Sequence, residues 1–309
     1  MAEYVRSLSG NLGAMLANTH PNSSMSPDTT RLVDATRALR AWFDAHPRVL
    51  VLTGAGISTA CGIPDYRGPD GQWKRNAPIT YQQFTREAPM RARYWARSFV
   101  GWPVVARAEP SRAHAALVAL EARGRVVSLV TQNVDGLHAR AGQRRVIDLH
   151  GRIDQVICMD CGTRAARADI QQRLAADNPS WKNLSAATAP DGDADLERIS
   201  FDDFQAPSCA HCGGVLKPDV VFFGENVPRE RVLATQAALA DADALLVVGS
   251  SLMVYSGFRF ARMARERGLP LALLTRGVTR ADAIATLKLD VDCEPVLAAA
   301  VAEATDALP

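Results

Sequence analysis

Two short cysteine pairs, Cys158-Met-Asp-Cys161 and Cys209-Ala-His-Cys212, hold four of the six cysteines in the 309-residue chain. Two Cys-x-x-Cys pairs have the ligand spacing of tetrahedral Zn²⁺, and four thiolates leave no open position for a catalytic water. The expected metal is therefore one structural ion. Disulfides are the alternative; cysteine usage this sparse suits a reducing compartment. Chemistry then needs other residues. His150, in Asp148-Leu149-His150-Gly151 just ahead of the first pair, has a side chain that can act as a general base near neutral pH. A single His also serves packing, and His138 is read that way. Asn133 and Asp135, in Thr131-Gln132-Asn133-Val134-Asp135, can hydrogen-bond ribose hydroxyls or an amide such as nicotinamide, or can cap a helix. Thr53-Gly54-Ala55-Gly56-Ile57-Ser58-Thr59 carries glycines that let backbone approach a phosphate, although Thr59 stands where G-x-G-x-x-G has its third glycine. Arg67, in Gly62-Ile63-Pro64-Asp65-Tyr66-Arg67-Gly68, can hold a phosphate bidentately or be solvated. Gly249-Ser250-Ser251 offers small hydroxyl residues, and Lys217-Pro218-Asp219-Val220-Val221-Phe222-Phe223-Gly224-Glu225 starts as an extended segment able to pair with a peptide. Cys61 and Cys293 read as packing residues, with Cys293 near a ligand in a dry site.

These residues need a scaffold. Short apolar runs at 49–52, 126–130, 146–149, 220–223, 245–248 and 271–274 read as buried strands. Helical stretches separate several of them, around 112–122, 229–240 and 256–267. A further helix places Leu32, Val33, Ala35, Leu39 and Trp42 on one face. Strands alternating with helices predict an α/β fold with a doubly wound, mostly parallel, Rossmann-like sheet, interrupted by a smaller inserted zinc-binding module. Thr53-Gly54 is expected to turn from a strand into a helix, and the segment after Lys217 to return to the sheet. The Ser-, Asn-, Thr- and Pro-rich residues 1–30 read as a flexible arm and residues 31–309 as the catalytic domain. Within it, 31–152 and 217–309 form the large part and 153–216 the zinc module. Residues 62–110 read as a long loop with helices covering a cleft.

The bulk numbers limit the function. A net charge of +2 from 35 basic and 33 acidic residues gives no nucleic-acid footprint in the overall balance, which does not describe local patches. No apolar run reaches the roughly 20 residues that span a bilayer, and the N-terminus lacks a secretory pattern. The expectation is no nucleic acid, no membrane, and a cytoplasmic location, or the mitochondrial matrix in a eukaryote.

Taken in order, these pieces resemble the sirtuin family of NAD-dependent protein deacylases from about residue 31 to the C-terminus. Asp65-Tyr66, Tyr94-Trp95-Ala96-Arg97 and Pro190-Asp191-Gly192-Asp193 are similar to its class II branch. The resemblance implies that an acyl-lysine carbonyl attacks the nicotinamide ribose, giving nicotinamide, free lysine and O-acyl-ADP-ribose. It implies His150 as the base, Asn133 on ribose and a water, and Asp135 on the nicotinamide amide. It further implies NAD contacts from Gly54, Ala55, Gly56, Ser58, Asp65, Tyr66, Arg67, Gln132, Gly249, Ser250, Ser251, Thr275, Gly277 and Cys293. Val220, Val221, Phe222 and Phe223 would flank the substrate peptide. Tyr94 and Arg97 would meet a carboxylate-bearing acyl group, or Arg97 would only cap or solvate its helix. Thr275-Arg276-Gly277 stands where the family commonly has an Asn-containing motif. Protein ADP-ribosyl transfer or a lipoamidase-type activity are alternatives within the family. Outside it, a hydride-transferring dehydrogenase lacks the full glycine motif, and a zinc-ribbon binding module sits poorly with the nucleotide-type loops.

Overall fold

The computed structural model describes residues 26–72, 74, 78–184, 194, 196 and 199–302. The stretch 1–25 and the Pro190–Asp193 similarity lie outside the described residues. Among the described residues, nine strands follow in chain order: β1 Val49–Thr53, β2 Val126–Thr131, β3 Val146–Asp148, β4 Gly151–Cys158, β5 Arg164–Ala166, β6 Leu216–Val220, β7 Ala244–Val248, β8 Leu271–Leu274 and β9 Leu287–Leu289. The helices are α1 Pro27–Ala45, α2 Tyr81–Arg86, α3 Ala88–Arg107, α4 Arg112–Ala122, α5 Leu137–Arg140, α6 Arg167–Asp177, α7 Arg229–Ala240, α8 Tyr255–Glu266 and α9 Cys293–Ala302.

Six strands form an all-parallel sheet in the order β3-β2-β1-β7-β8-β9. Successive strand side chains point to opposite faces, so an unbroken apolar run requires cover on both sides. Val49, Val51, Leu246 and Val248 pack on one face with α1, α4 and α9. Leu50, Leu52, Leu245 and Val247 pack on the other with α7 and α8. The chain crosses from one half of the sheet to the other between β1 and β7. A crevice therefore opens at their C-terminal ends, the place where such sheets bind ligands.

Three local expectations are corrected. The helix α1 starts at Pro27, inside the arm expected to end at residue 30, because Ser26 accepts a hydrogen bond from the Thr29 N–H (3.2 Å) and Pro27 opens the first turn. Its core face is Ala35, Leu39, Trp42 and Phe43; Val33 is 41% exposed. After Thr53 the chain makes two 3₁₀ turns, Ala55–Ile57 and Thr59–Cys61, in place of a regular helix. Segment 220–223 does not join the parallel sheet. Only Val220 is in a strand there, as the last residue of β6, which pairs antiparallel with β4 in a second sheet ordered β5-β4-β6.

That second sheet carries its own core. Val156, Ile170, Leu174 and Leu216 are buried together with Phe84, Trp95 and Phe99 of α2 and α3. The strands framing the cysteine insert therefore run past both of its expected limits, 153 and 216, and the 81–107 helices share its interior. Arg167 is fully buried in this lobe. It is stabilised over the rings of Trp95 and Trp102, at 5.4 and 5.1 Å, and by Gln171 Oε1 at 2.7 Å. The strand Leu287–Leu289 and the helix Cys293–Ala302 were not expected from the sequence.

Candidate active site

The β1/β7 crevice is a cleft of about 610 Å³ between the two sheets, within the size range of small-molecule sites. Its floor is made where two loops interlock. Gly54 N–H donates to Val248 O at 3.1 Å and Gly56 N–H to Gly249 O at 2.8 Å. A Cβ on Gly54 would sit 2.7 Å from Ser250 Cβ, and one on Gly56 2.9 Å from Gly249 Cα. These glycines are thus needed for loop-to-loop packing as well as for a bare backbone at the crevice. Leu252, with φ at +55°, is a left-handed non-glycine in the same turn, held by its N–H on Ser250 Oγ (3.2 Å).

Polar groups from three strand ends converge here. Gln132 Nε2 donates to Ser250 Oγ at 2.7 Å. Asn133 Nδ2 donates to Gly54 O at 3.1 Å and Ser58 Oγ at 3.0 Å. Ser58 donates to Asp135 Oδ2 at 2.8 Å, and Asp135 Oδ1 accepts from Leu137 N–H at 2.9 Å. Burial raises the Asp135 pKa above the ordinary carboxylate value, and the Leu137 and Ser58 donors oppose that rise.

His150 stands in the turn between β3 and β4. Its Nδ1 lies 3.0 Å from the backbone carbonyl of Gln132, and Nε2 lies 2.7 Å from Ser256 Oγ. A carbonyl only accepts, so Nδ1 carries the proton and Nε2 presents its lone pair. Burial pushes the ring pKa down to about 4, so the free base persists at neutral pH.

The cleft wall gathers most of the residues expected from the sequence. Gly54, Ala55, Gly56, Asp65, Tyr66, Arg67, Gln132, Asn133, His150, Gly249, Ser250, Ser251, Thr275 and Cys293 line it, as do Tyr94 and Val220–Phe223. Arg67 Nη1 donates to Gly71 O at 2.8 Å, while Lys74 pairs with Asp65. Cys293 contacts Gly56 O through Sγ at 3.5 Å, and burial pushes its thiol up to about 12. Tyr94 packs against Phe84 and Phe222, with centroids 5.3 and 5.2 Å apart. Behind Val220–Phe223, buried Lys217 donates to Glu225 (3.0 Å) and to Val220 O (2.6 Å), while Glu225 accepts from Phe222 N–H (2.9 Å).

Four expected residues do not line the cleft. Ser58 and Asp135 stand behind Asn133. Gly277 turns the chain against Pro69, where a side chain would collide with the Pro69 carbonyl, and its N–H donates to Asp290 (2.7 Å). Arg97 lies one helical turn beyond Tyr94. Its Nε donates to Ala194 O (2.9 Å), and its carbonyl accepts from Ala194 N–H (2.8 Å). These two bonds tie Arg97 to the Ala194 backbone. The sequence reading missed Ser256, Tyr255 and Arg259, which line the cleft from α8. Their signal was available: a hydroxyl two positions beyond Val254, at the helix start that follows a strand-end loop.

The four cysteines gather at one end of the small lobe. The Sγ atoms of Cys158 and Cys212 are 3.6 Å apart, those of Cys161 and Cys209 are 3.8 Å apart, and all four lie within 4.8 Å of one another. Arms of 2.3 Å in a tetrahedron give edges of about 3.8 Å, so the thiols fit one Zn²⁺. None of the four forms a disulfide.

The Sir2 family pattern matches residues 54–256. The chain belongs to the Sir2 family. A protein of Xanthomonas campestris pv. campestris, named NAD-dependent protein deacetylase, is 56% identical over 270 residues, covering 87% of this chain and 92% of that protein. A Bordetella bronchiseptica protein of the same name is 57% identical over 265 residues, covering 86% and 97%. Among solved structures, a Sir2 enzyme studied for mechanism and regulation matches with TM-score 0.70 and 30% identity, covering 88% of this chain and 98% of that one. A Sir2–p53 peptide–NAD+ complex matches with TM-score 0.68 and 27% identity, covering 88% and 99%.

Proposed function

We propose that this chain is an NAD-dependent protein deacetylase or deacylase acting on acyl-lysine side chains of proteins. The observation that carries the reading is His150. A neutral imidazole with a fixed tautomer turns its lone pair into a crevice lined by ribose- and phosphate-binding groups. Supporting it are the relatives' names and the Sir2 complexes with peptide and NAD+.

The residues present suit NAD. The Ala55 N–H on a loop kept bare by Gly54 and Gly56, the Arg67 guanidinium and the Ser250 and Ser251 hydroxyls supply donors for a dinucleotide. When bound, NAD supplies an electrophilic ribose carbon with nicotinamide as its leaving group. His150 Nε2 receives a proton from a ribose hydroxyl, and the Gln132 carbonyl holds the resulting imidazolium through Nδ1–H. Asn133 orients ribose through its amide, anchored by Gly54 and Ser58. Asp135, behind Asn133, acts on that pocket indirectly, by fixing the Ser58 hydroxyl that holds the Asn133 amide. Phe222 and Phe223 exclude water beside the acyl-lysine, and Tyr94 backs that wall. Cys158, Cys161, Cys209 and Cys212 hold one Zn²⁺ that braces the small lobe and takes no part in bond breaking.

This reading keeps the six-stranded parallel sheet and its helices as the nucleotide-binding part, with the small lobe, expected at 153–216 and extended by β4, β6 and the 81–107 helices, inserted. A cytoplasmic location belongs to the same proposal; among the described residues no helix is long and apolar enough to cross a membrane. The test is incubation with NAD and acetyl-lysine peptide, with products identified by mass. Nicotinamide and O-acetyl-ADP-ribose are expected in equal amounts, and His150→Phe should abolish the latter. Reduced nicotinamide absorbing in the near ultraviolet would instead mark a dehydrogenase.

A further inference from the structure

Positions 255–281 hold six arginines (Arg259, Arg262, Arg265, Arg267, Arg276, Arg280) against a single acid, Glu266, a local net charge of +5 in a chain of net +2. Three of these arginines converge on one ring. The guanidinium carbons of Arg259, Arg262 and Arg280 lie 5.2, 5.6 and 5.7 Å from the centroid of Tyr255. Tyr255 is 43% exposed; exposed Val254 precedes it in sequence, and exposed Val278 stands two positions before Arg280. Arg280 also lies 4.5 Å over Phe258. The fold holds Arg280 in place, because its N–H donates to Ser251 O (2.9 Å) and its Nη1 to Met253 O (3.4 Å).

Three like charges around one aromatic ring repel one another. The ring face offsets part of that through cation–π attraction. Carboxylates offset little of it. Arg262 pairs with Glu266 at 3.2 Å, but both side chains are more than half exposed and the pair is readily exchanged. Among the described residues neither Arg259 nor Arg280 has a carboxylate partner. The site is continuous with the cleft. Tyr255 and Arg259 line it together with Ser256, the neighbour of His150, and Val221–Phe223 line the same cleft.

We infer that this α8 rim is a recognition surface for acidic side chains of the polypeptide that carries the acyl-lysine. The inference rests on the deacylase reading. A lysine inserted toward His150 brings its flanking residues over Tyr255, where a carboxylate meets Arg259, Arg262 and Arg280 while apolar side-chain stems cover Val254 and the ring. The selectivity is for charge and not for one sequence, since exposed guanidinium groups on long side chains set no single register.

The experiment compares kcat/KM for acetyl-lysine peptides whose flanks carry Asp and Glu with that for the Asn and Gln equivalents. A preference of about five- to tenfold for the acidic peptide is expected at low salt, shrinking at about 0.5 M salt. Arg262→Gln with Arg280→Gln should bring the ratio toward one, and Arg280→Glu should favour the neutral peptide. Thermal melts of the variants verify folding. Equal turnover of both peptides by the wild-type chain, or a ratio unmoved by the double variant, overturns the inference alone. Turnover of neither peptide overturns the deacylase reading and the inference with it. Charge-blind turnover together with salt-sensitive binding of a single-stranded oligonucleotide, lost in the double variant, would give the surface to nucleic acid and overturn the inference.

Discussion

His150 Nε2 accepts the Ser256 hydroxyl at 2.7 Å, across 106 positions of sequence. The contact holds the imidazole ring from its reactive side, while Gln132 O holds the other. A ribose hydroxyl approaching Nε2 meets Ser256 first. Ser256→Ala is therefore expected to lower kcat about three- to tenfold, the worth of one orienting hydrogen bond, with KM for NAD changed less than twofold. Ser256→Thr should recover most of the rate. Steady-state kinetics on acetyl-lysine peptide decides; an unaltered kcat in the alanine variant removes Ser256 from the positioning of His150.

The pH dependence of activity follows from the same ring. His150 works as a base only when neutral, and burial lowers its pKa to about 4. The acid limb of kcat/KM should then lie near pH 4 to 5, well below the usual histidine value of about 6.5. Rates measured over short times, before acid unfolding, give this limb. An inflection near 6.5 would mean that the ring is solvated in the working enzyme.

Stability should fall with acid for a different pair. His114 and His138 are buried with ring centroids 4.7 Å apart, and burial lowers them to about 4 and about 3. Ser111 N–H donates to His114 Nδ1 (3.3 Å), and His138 Nε2 meets Thr53 Oγ1 (2.9 Å). Their folded pKa values lie below the unfolded one, so the unfolded chain binds more protons. Stability is complete above about pH 6.5 and declines as pH falls toward 4, by about 2 kcal/mol per histidine at pH 5. Denaturant midpoints from pH 8 to 5 measure the slope, and His114→Gln should flatten it.

Removing Lys217 should be costly for the peptide wall. Lys217→Met leaves Glu225 with a charge that lost its buried partner, and a destabilisation of about 3 kcal/mol is expected. Urea unfolding checks the loss. Peptide KM should rise more than NAD KM, because Glu225 also holds the Phe222 N–H.

Arg97→Met should leave the ratio of kcat/KM for acetyl- and succinyl-lysine peptides unchanged while lowering the melting temperature, since Arg97 binds the Ala194 backbone. A fall confined to succinyl peptides would restore Arg97 as an acyl-carboxylate ligand.

Metal removal should act through structure. One zinc per chain is expected by elemental analysis. Chelation or Cys158→Ser should reduce the near-ultraviolet circular dichroism of the lobe around Trp95 and Trp181 in step with activity. Full activity in a metal-free, folded chain would argue against the bracing role.

Much of this protein was legible in one dimension. Cysteine spacing, apolar runs bounded by glycine, and polar residues at strand ends are local signals, so the four-cysteine cluster, five of the six parallel strands, and His150 and Asn133 as residues at the cleft could be read directly. Three-residue β9 and alanine-rich α9 carry too little periodicity to be read, and their identity comes from packing against β8, α1 and α4. Segment 220–223 is apolar enough for either sheet. Its exclusion from the parallel sheet follows from pairing between β6 and β4 and from the turn that Glu225 holds. Arg97 and Tyr94 share a helix, yet only tertiary contact separates the residue on the cleft from the one that holds a neighbouring segment. The sequence by itself determined which chemical groups exist and which strand ends carry them. The tertiary structure alone decided that His150 meets Ser256, that Gly54 and Gly56 interlock with Gly249 and Ser250, and that three arginines surround Tyr255. Those relations join residues far apart in the chain, and packing geometry, which leaves no mark on spacing, brings them together.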